Sequence, residues 1–517
     1  MFKNALVSVS DKSGLVDFLK PYVAKGLRVV STGGTLKHLR ENGINAIDIS
    51  EQTGFPEVMD GRVKTLHPRV HMAILSRAGV QEDDDLLRKE KLDPFDLVIV
   101  NLYPFEQARA RGVTGHELIE FIDIGGPSLL RAAAKNHDRL AVICQPSDYK
   151  WISEKSELSA HDRRRLAASV FRHTSSYDDL IAKTLNVEES EMPLTLSGTL
   201  VSELRYGENP QQKAWWMKSS SSAGGLQDAV ILHGKPLSYN NILDLDAAVS
   251  SVRFFHEPAA VAVKHNNPCG VGTDTSIGGA VARAAAADPV SVFGGIIALN
   301  RHVDRLAAEV MSKIFLECII APGFTPEALE ILKKKKDLRL LEQPKLMQKQ
   351  DGELQFRTVS GGFLVETADH VSEFSDEWRV NGDTPSIEVK RDLMLAWNIC
   401  AMLKSNAIAI AVDGRTVGLG MGQVNRVDAV EQAIERMKKH HPGSRAGSNS
   451  GRAVATSEAC LASDAFFPFA DSIEKASDAG IRWIIQPGGS IRDEEVLAKA
   501  RERGVNMILT GRRHFRH

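Results

Sequence analysis

Ala259-Ala260-Val261-Ala262-Val263-Lys264-His265-Asn266-Asn267-Pro268-Cys269-Gly270 is the stretch on which the reading of this chain turns. Its first residues form an Ala/Val run with the composition of a buried strand. The strand runs into Lys264 and His265 side by side, then into a turn marked by Asn266-Asn267-Pro268. Catalytic groups are commonly carried where a rigid strand hands over to a loop. A histidine moves protons near neutral pH, and an adjacent lysine steadies a developing negative charge. Neighbours on a strand point to opposite faces, so both meet one substrate only if the chain bends there. The Asn-Pro turn is expected to supply that bend. Taken alone, the stretch reads equally as a satisfied strand-end histidine beside a solvated lysine.

Outward from this turn, an Ala-rich helix, Phe293-Gly294-Gly295 and the strand Ile296 to Leu299 complete one passage. A loosely similar passage follows: a helix at Leu393 to Leu403, a strand Ala407 to Val412, the turn Asp413-Gly414, a strand Thr416 to Met421 and a helix Val427 to Lys438. Duplication into two α/β lobes is the expectation, although the identity between the passages is slight. Lys333 to Lys336 reads as the solvated end of a helix, where cations suit the dipole. His441 to Gly451, rich in Gly and Ser, reads as a mobile loop.

The first third alternates short strands (Ala5 to Val9, Leu27 to Val30, Phe95 to Val100, Leu140 to Cys144) with helical stretches at Gly14 to Leu19, Thr35 to Arg40 and Ser128 to Lys135. That alternation predicts a parallel α/β sheet. Polar Asn186 to Pro193 is the linker candidate, giving domains at 1–190 and 196–517.

Composition narrows the function. The chain has 517 residues, 43% hydrophobic and 25% charged, as in a multidomain globular protein. A formal net charge of −2 gives no electrostatic case for nucleic acid or an anionic membrane. Cys144, Cys269, Cys318, Cys400 and Cys460 are scattered with no CxxC pair, which argues against a zinc knuckle or a disulfide framework. Reduced thiols in a cytoplasm fit best. No signal-type core follows Met1-Phe2-Lys3-Asn4, and no apolar run is long enough to span a bilayer.

Two loops follow the first two strands and open helices: Ser8-Val9-Ser10-Asp11-Lys12-Ser13-Gly14 and Ser31-Thr32-Gly33-Gly34-Thr35. Free N–H groups, the positive end of the helix dipole, hydroxyls and Lys12 suit phosphate. Neither loop is a P-loop or a dinucleotide fingerprint, and small residues also cap helices without a ligand. Arg62-Val63-Lys64-Thr65-Leu66-His67-Pro68 adds a basic cluster. Asp123-Ile124-Gly125-Gly126-Pro127 reads as another strand-to-helix turn, and Lys135 as a cation at the helix end.

Ten words now stand in order: SVSDKSG, STGGT, GRVKTLHP, NLYPF, DIGGPSLLRAAAKNH, LRYGENPQQ, KHNNPCG, KSNAIAI, SDAFFPF and RRHFRH. Together they resemble, from end to end, the bifunctional purine-biosynthesis family AICAR transformylase/IMP cyclohydrolase. The resemblance implies a methylglyoxal-synthase-like parallel α/β cyclohydrolase domain. A duplicated cytidine-deaminase-like α/β formyltransferase region would follow it. It implies a cytoplasmic homodimer with the transferase site across the subunit interface. The ligands implied are AICAR, its formylated product, IMP and a reduced folate, with 10-formyltetrahydrofolate as co-substrate; the lack of clustered Cys/His ligands predicts no transition metal.

The AICAR amine is a poor nucleophile, because it is conjugated with the neighbouring carboxamide. A base on that amine and a cation on the oxyanion are the natural aids to formyl transfer. By resemblance His265 is the base and Lys264 the stabiliser. Arg205, Tyr206, Gly294, Glu317, Asn406, Arg426 and Phe466 match AICAR contacts; some relatives carry Asp where this chain has Glu317. Asp471, Gly488, Gly489 and Arg513 match folate contacts. In the cyclohydrolase, ring closure is intramolecular, so orientation supplies much of the rate. Lys135 matches the proton-transfer residue. Ser10, Lys12, Thr32, Gly33, Gly34, Thr35, Arg62, Lys64, Thr65, Asn101, Asp123 and Gly125 match nucleotide contacts.

Two rivals fail on particulars. A zinc-dependent nucleoside deaminase shares a Pro-Cys, but its signature needs a second cysteine two residues on and an upstream His-x-Glu. Here Gly270-Val271-Gly272 follows Cys269, and Asn266-Asn267 follows His265. A non-enzymatic phosphate-ligand sensor leaves Lys264-His265 and the second domain unexplained.

Overall fold

The computed structural model describes residues 2–59, 62–186, 195–196, 198–219, 225–348, 354–441 and 459–517. The chain divides into two compact units, Met1–Ser197 and Gly198–His517. Apart from Asn186, the linker candidate Asn186 to Pro193 lies outside the described residues, as does His441 to Gly451 beyond its first residue.

In the first unit, β1 (Asn4–Val9), β2 (Arg28–Ser31), β3 (Ala46–Asp48), β4 (Leu97–Asn101) and β5 (Ala141–Ile143) form one sheet in the order β3-β2-β1-β4-β5. Every pairing is parallel, as the strand–helix alternation predicts. Helices cover the strands, so Leu6, Val30, Val98 and Val142 are buried with Leu15, Leu39 and Leu130 in one core. Asp123 departs from the sequence reading. The element before it is the short helix Gly115–Ile119, not a strand. Phe121 and Ile122 give the segment its strand-like look, but they pack against the core from a turn.

In the second unit, β6 (Gly198–Leu204) and β7 (Ala214–Ser219) form one separate hairpin, and β14 (Leu354–Val359) and β15 (Gly362–Thr367) another. The remaining strands are β8 (Val230–His233), β9 (Ala259–Lys264), β10 (Asn267–Thr273), β11 (Gly295–Leu299), β12 (Leu316–Ala321), β13 (Arg339–Glu342), β16 (Arg379–Asn381), β17 (Ile408–Val412), β18 (Arg415–Gly420), β19 (Cys460–Ser463), β20 (Trp483–Gln486) and β21 (Asn506–Leu509). They make one twelve-stranded sheet, β16-β21-β20-β19-β17-β18-β10-β9-β11-β12-β13-β8.

The expected duplication is written in this topology. From β10 outward, β9 and β11 pair antiparallel, β12 and β13 parallel, and β8 antiparallel. From β18 outward, β17, β19, β20, β21 and β16 repeat that sequence of pairings. The two lobes are not separate bodies, because β10 and β18 join antiparallel at Gly272↔Arg415. Alternation along each strand sorts the cores. Ala259, Val261 and Val263 share one core with Ala409, Ala411 and the helices Tyr239–Val252 and Ile387–Cys400. Ala260 and Ala262 face a core private to the first half, and Ile408 and Ile410 one private to the second.

The Asn-Asn-Pro turn is also corrected. His265 and Asn266, at φ 53° and 62°, are the turn itself, while Pro268 already pairs with Val263 in the β9–β10 ladder. A two-residue hairpin of type I′ needs positive φ at both centres, and Asn and His adopt it more readily than most side chains. In the lysine run after the helix Pro326–Leu332, Lys335 is half-buried, donates to Ile314 O and is held below the usual lysine pKa by burial.

Candidate active sites

In the first unit the strand order reverses between β1 and β4, and α/β sheets take ligands at the carboxyl ends of strands on either side of such a point. Asn101, ending β4, staples the loop after β1. Its Oδ1 accepts the N–H and hydroxyl of Ser10 at 2.6 and 2.9 Å and the Asp11 N–H at 2.9 Å. Thr35 Oγ1 donates to Val9 O at 2.8 Å and accepts the Val9 N–H at 3.0 Å, tying the second loop to the first. The Thr32 and Ser8 hydroxyls lie 3.0 Å apart. Several side chains matched to nucleotide contacts therefore also build the cradle.

Gly33 takes φ 42°, and a Cβ there would stand 3.6 Å from Lys64 Nζ. Gly34 opens onto free space, and Lys12 Nζ donates to Ser10 O at 3.2 Å. Lys64 Nζ stands 3.6 Å from the Glu57 carboxylate. A Cβ at Gly125 would meet the buried Thr65 hydroxyl at 2.7 Å, so that approach needs glycine. Burial raises the pKa of Asp123; the N–H groups of Gly126, Tyr103 and Gly125 and the charge of Lys64 oppose the rise. Lys64, Thr65, Asp123, Gly125 and the Gly33 loop thus converge, with Tyr103 a neighbour the sequence reading missed. Arg62 pairs with Glu120 at the rim. Lys135 is not in this group. It is the exposed last residue of the helix Gly125–Lys135, about 15 Å along the axis from Gly125.

In the second unit the pairings put the end of β9, the starts of β10, β11, β12 and β17, and the ends of β18 to β21 on one edge of the sheet. Lys264 ends β9, and its Nζ donates to Phe293 O at 2.8 Å. His265 is exposed at the turn, with its imidazole in no hydrogen bond among the described residues. Gly294, at φ 77°, leaves room beside Lys264, since a Cβ there would lie 3.9 Å from Nζ. Glu317 accepts from Asn241 Nδ2 and Arg339 Nη1, each at 3.2 Å. The loop bearing Arg205 and Tyr206, stacked at 5.6 Å, reaches the same edge where Asn240 Nδ2 donates to Glu208 O at 3.3 Å.

Asn267 links this group to the second half, its Oδ1 accepting the Lys404 N–H at 3.2 Å. Asn406 follows two residues on. Its Oδ1 accepts from Arg426 Nη2 at 2.6 Å, and Arg426, only 7% exposed, also holds Ser463 Oγ at 3.1 Å and the Asp464 carboxylate. The tail returns here too. His514 N–H donates to Asp464 O at 2.9 Å, which sets Arg513 near the Asn406 group. Phe466 is exposed just after β19, and Asp471 opens the helix Asp471–Asp478. Gly488 and Gly489 take φ 73° and 94° after β20, and Asp493 accepts the Gly489 N–H at 2.6 Å. They stand five strands from β9, about 24 Å at the usual spacing. Cys269 is a buried thiol facing Ala262 O at 3.5 Å and pushed up to about 12, the environment of a packed side chain.

Sequence reasoning missed Asn241, Asp244, Asn267 and Arg339. Each acts through contacts distant in the chain or through a turn whose position was misread, and no local pattern marks them.

Comparison with known proteins finds matches along the whole chain. The MGS-like domain family model matches residues 14–128, and the AICARFT/IMPCHase bienzyme model matches residues 133–436. The bifunctional purine biosynthesis protein PurH of Bacillus subtilis (strain 168) is 48% identical over 527 residues, covering 100% of this chain and 99% of that protein. PurH of Bacillus cereus (strain AH820) is 48% identical over 529 residues, covering 100% of both. The crystal structure of ForH, 30% identical, spans 35% of this chain and 96% of its own with a TM-score of 0.32, too low to carry an argument. With two family models side by side and end-to-end relatives at this identity, the chain belongs to the AICARFT/IMPCHase bienzyme family.

Proposed function

We propose that the two activities of this bifunctional AICAR formyltransferase and IMP cyclohydrolase of purine biosynthesis reside at the two sites described above, one in each unit. The observation that carries the reading is the single sheet edge on which Lys264, His265, Gly294 and Glu317 meet the Asn267–Lys404 link to Asn406. There the AICAR amine attacks the formyl carbon of 10-formyltetrahydrofolate. His265 takes the amine proton, Lys264 faces the oxyanion, and the proton returns to folate N10 as its bond to the formyl carbon breaks. Arg205, Tyr206, Glu317, Asn406 and Phe466 hold AICAR, with Arg426 steadying Asn406 from behind. Asp471, Gly488, Gly489 and Arg513 take the folate. The length of edge separating Gly488 and Gly489 from His265 favours a pocket completed by a second copy of the chain, hence a homodimer. A cytoplasmic location fits five free, buried cysteines.

In the first unit the loops after β1 and β2, with Lys12, Thr32, Gly33 and Gly34, hold the nucleotide phosphate. The carboxamide nitrogen then attacks the formamide carbon, and water leaves. Two lysines are candidates for moving the proton: Lys64, beside Gly33 and Asp123, and Lys135, which the family resemblance assigns. The test assays the activities separately, with formyl transfer run from formylated nucleotide to tetrahydrofolate. His265→Ala should slow transfer about 10²–10⁴-fold and spare ring closure. Lys64→Ala and Lys135→Ala should slow closure and spare transfer, the larger loss marking the proton-transfer group. If folded His265→Ala and both folded lysine variants each abolished both reactions, the two-site reading would be wrong.

A further inference from the structure

Each half of the twelve-stranded sheet carries a two-residue hairpin turn, and each turn is gripped by one carboxylate from the preceding helix. In the first half the turn is His265-Asn266, at φ 53° and 62°; in the second it is Asp413-Gly414, at φ 50° and 69°. The gripping residues are Asp244, five residues beyond the helix start at Tyr239, and Asp392, five beyond Ile387. Asp244 Oδ1 accepts the Asn266 N–H at 2.6 Å, and the His265 N–H also supports this carboxylate. Turned with its amide nitrogen toward the helix, the Asn266 side chain donates to Asp244 Oδ1 at 3.1 Å and to Leu243 O at 3.2 Å. Asp392 accepts the Asp413 and Gly414 N–H groups at 2.7 and 2.8 Å.

The scaffold is thus the same in both halves and its cargo differs: His265 stands where the other half has Asp413. The second turn has glycine at its second centre and pays no side-chain strain there. The first holds two residues with side chains in the left-handed region, so it depends more on its clamp. The His265 imidazole makes no hydrogen bond among the described residues; what holds it is the turn that Asp244 grips and the charge of Asp244 itself.

We propose that Asp244 is a positioning residue for formyl transfer, which fixes the His265-Asn266 turn so that the imidazole and Lys264 face one substrate. The inference rests on the reading of His265 as the transferase base. It makes Asp392 an internal control: the same clamp on a turn at the opposite edge, away from the proposed chemistry.

The full-length Asp244→Ala, Asp392→Ala, His265→Ala and Asp244→Ala/His265→Ala variants are compared in reverse formyl transfer, in ring closure and in thermal unfolding. Asp244→Ala is expected to lower the transfer kcat on the order of 10–100-fold, the scale of a displaced catalytic group, with KM for the nucleotide changed far less and ring closure intact. Asp392→Ala should also lower Tm, by less than Asp244→Ala, and leave the transfer kcat within about twofold, since its contacts act on stability alone. Adding Asp244→Ala to His265→Ala should change kcat little, because a residue acting through His265 has nothing left to position. Wild-type kcat in Asp244→Ala beside an inactive His265→Ala would overturn the proposal, as would a full multiplicative loss in the double variant. An active His265→Ala would instead overturn the underlying site. If Asp244→Ala does not fold, Asp244→Asn, which keeps one acceptor oxygen and loses the other, should lower the transfer kcat in the same direction by a smaller factor, and wild-type kcat together with a lowered Tm in that variant would overturn the proposal.

Discussion

The two halves of the twelve-stranded sheet share every strand pairing, yet their matching corners are built from different chemistry. After β11 the chain turns through Asn300; after β19, at the matching corner, it turns through Asp464. Both N–H groups donate at 3.3 Å to the residue beginning or preceding the neighbouring strand, Ala259 O in one half and Ala407 O in the other. Asn300 is neutral and satisfied locally: Oδ1 accepts the Ala259 N–H at 2.8 Å, and Nδ2 donates to Phe255 O and Glu257 O at 2.9 and 2.7 Å. Asp464 is fully buried and paired with Arg426, which in turn holds Asn406. Between the two halves the backbone wiring is preserved, while the corners have been free to diverge. One became a neutral brace; the other became a charged support for a residue at the candidate ligand edge.

Three measurements put that contrast to the test. Asp464→Ala should have the largest effect, about 3–5 kcal/mol of stability by urea unfolding, because it leaves a buried guanidinium uncompensated. Transfer should fall as well, through Asn406, while ring closure persists in molecules that remain folded. Asn300→Ala should cost less, about 1–3 kcal/mol, the penalty of leaving a buried N–H and carbonyls unpaired. If Asn300→Ala proved the more damaging, the charged corner would not be the more demanding one. The smallest effect is expected at the opposite edge, where Arg283 Nε and Nη1 meet Asp274 and Asp413 at 2.8 and 3.2 Å. Arg283→Ala should cost up to about 1 kcal/mol, as partly exposed pairs do, with both activities unchanged. A large loss of transfer there would mean that both edges of the sheet serve the reaction.

Much of the framework was legible because Ala/Val and Leu/Val runs of strand length alternate with helical stretches, as in Ala259 to Val263 and Ala5 to Val9. The parallel sheet of the first unit follows from that alternation alone. The turn at His265 was misplaced because no Gly marks it, and Pro268 drew the boundary toward itself although it sits inside β10. The element before Asp123 was misread because Phe121 and Ile122 bury side chains from a turn as a strand would. The continuity of the second sheet depends on β10 meeting β18 across more than a hundred residues, which no local pattern announces. The clamp residues were hidden for the same reason: Asp244 and Asp392 look like ordinary polar positions on helices until the turns they hold are seen above them.

The outermost strands of the large sheet have a bearing on solubility. A sheet assembled by joining two like halves edge to edge carries the template for joining more, since any open strand offers unpaired N–H and C=O groups to the next chain. Here both ends finish with short antiparallel strands, the four-residue β8 and the three-residue β16, each laid against a parallel neighbour. So short a ladder offers an incoming strand little purchase. The repeated architecture therefore ends in the same device twice, one that disfavours growth by strand addition, the route from an open sheet to a fibre.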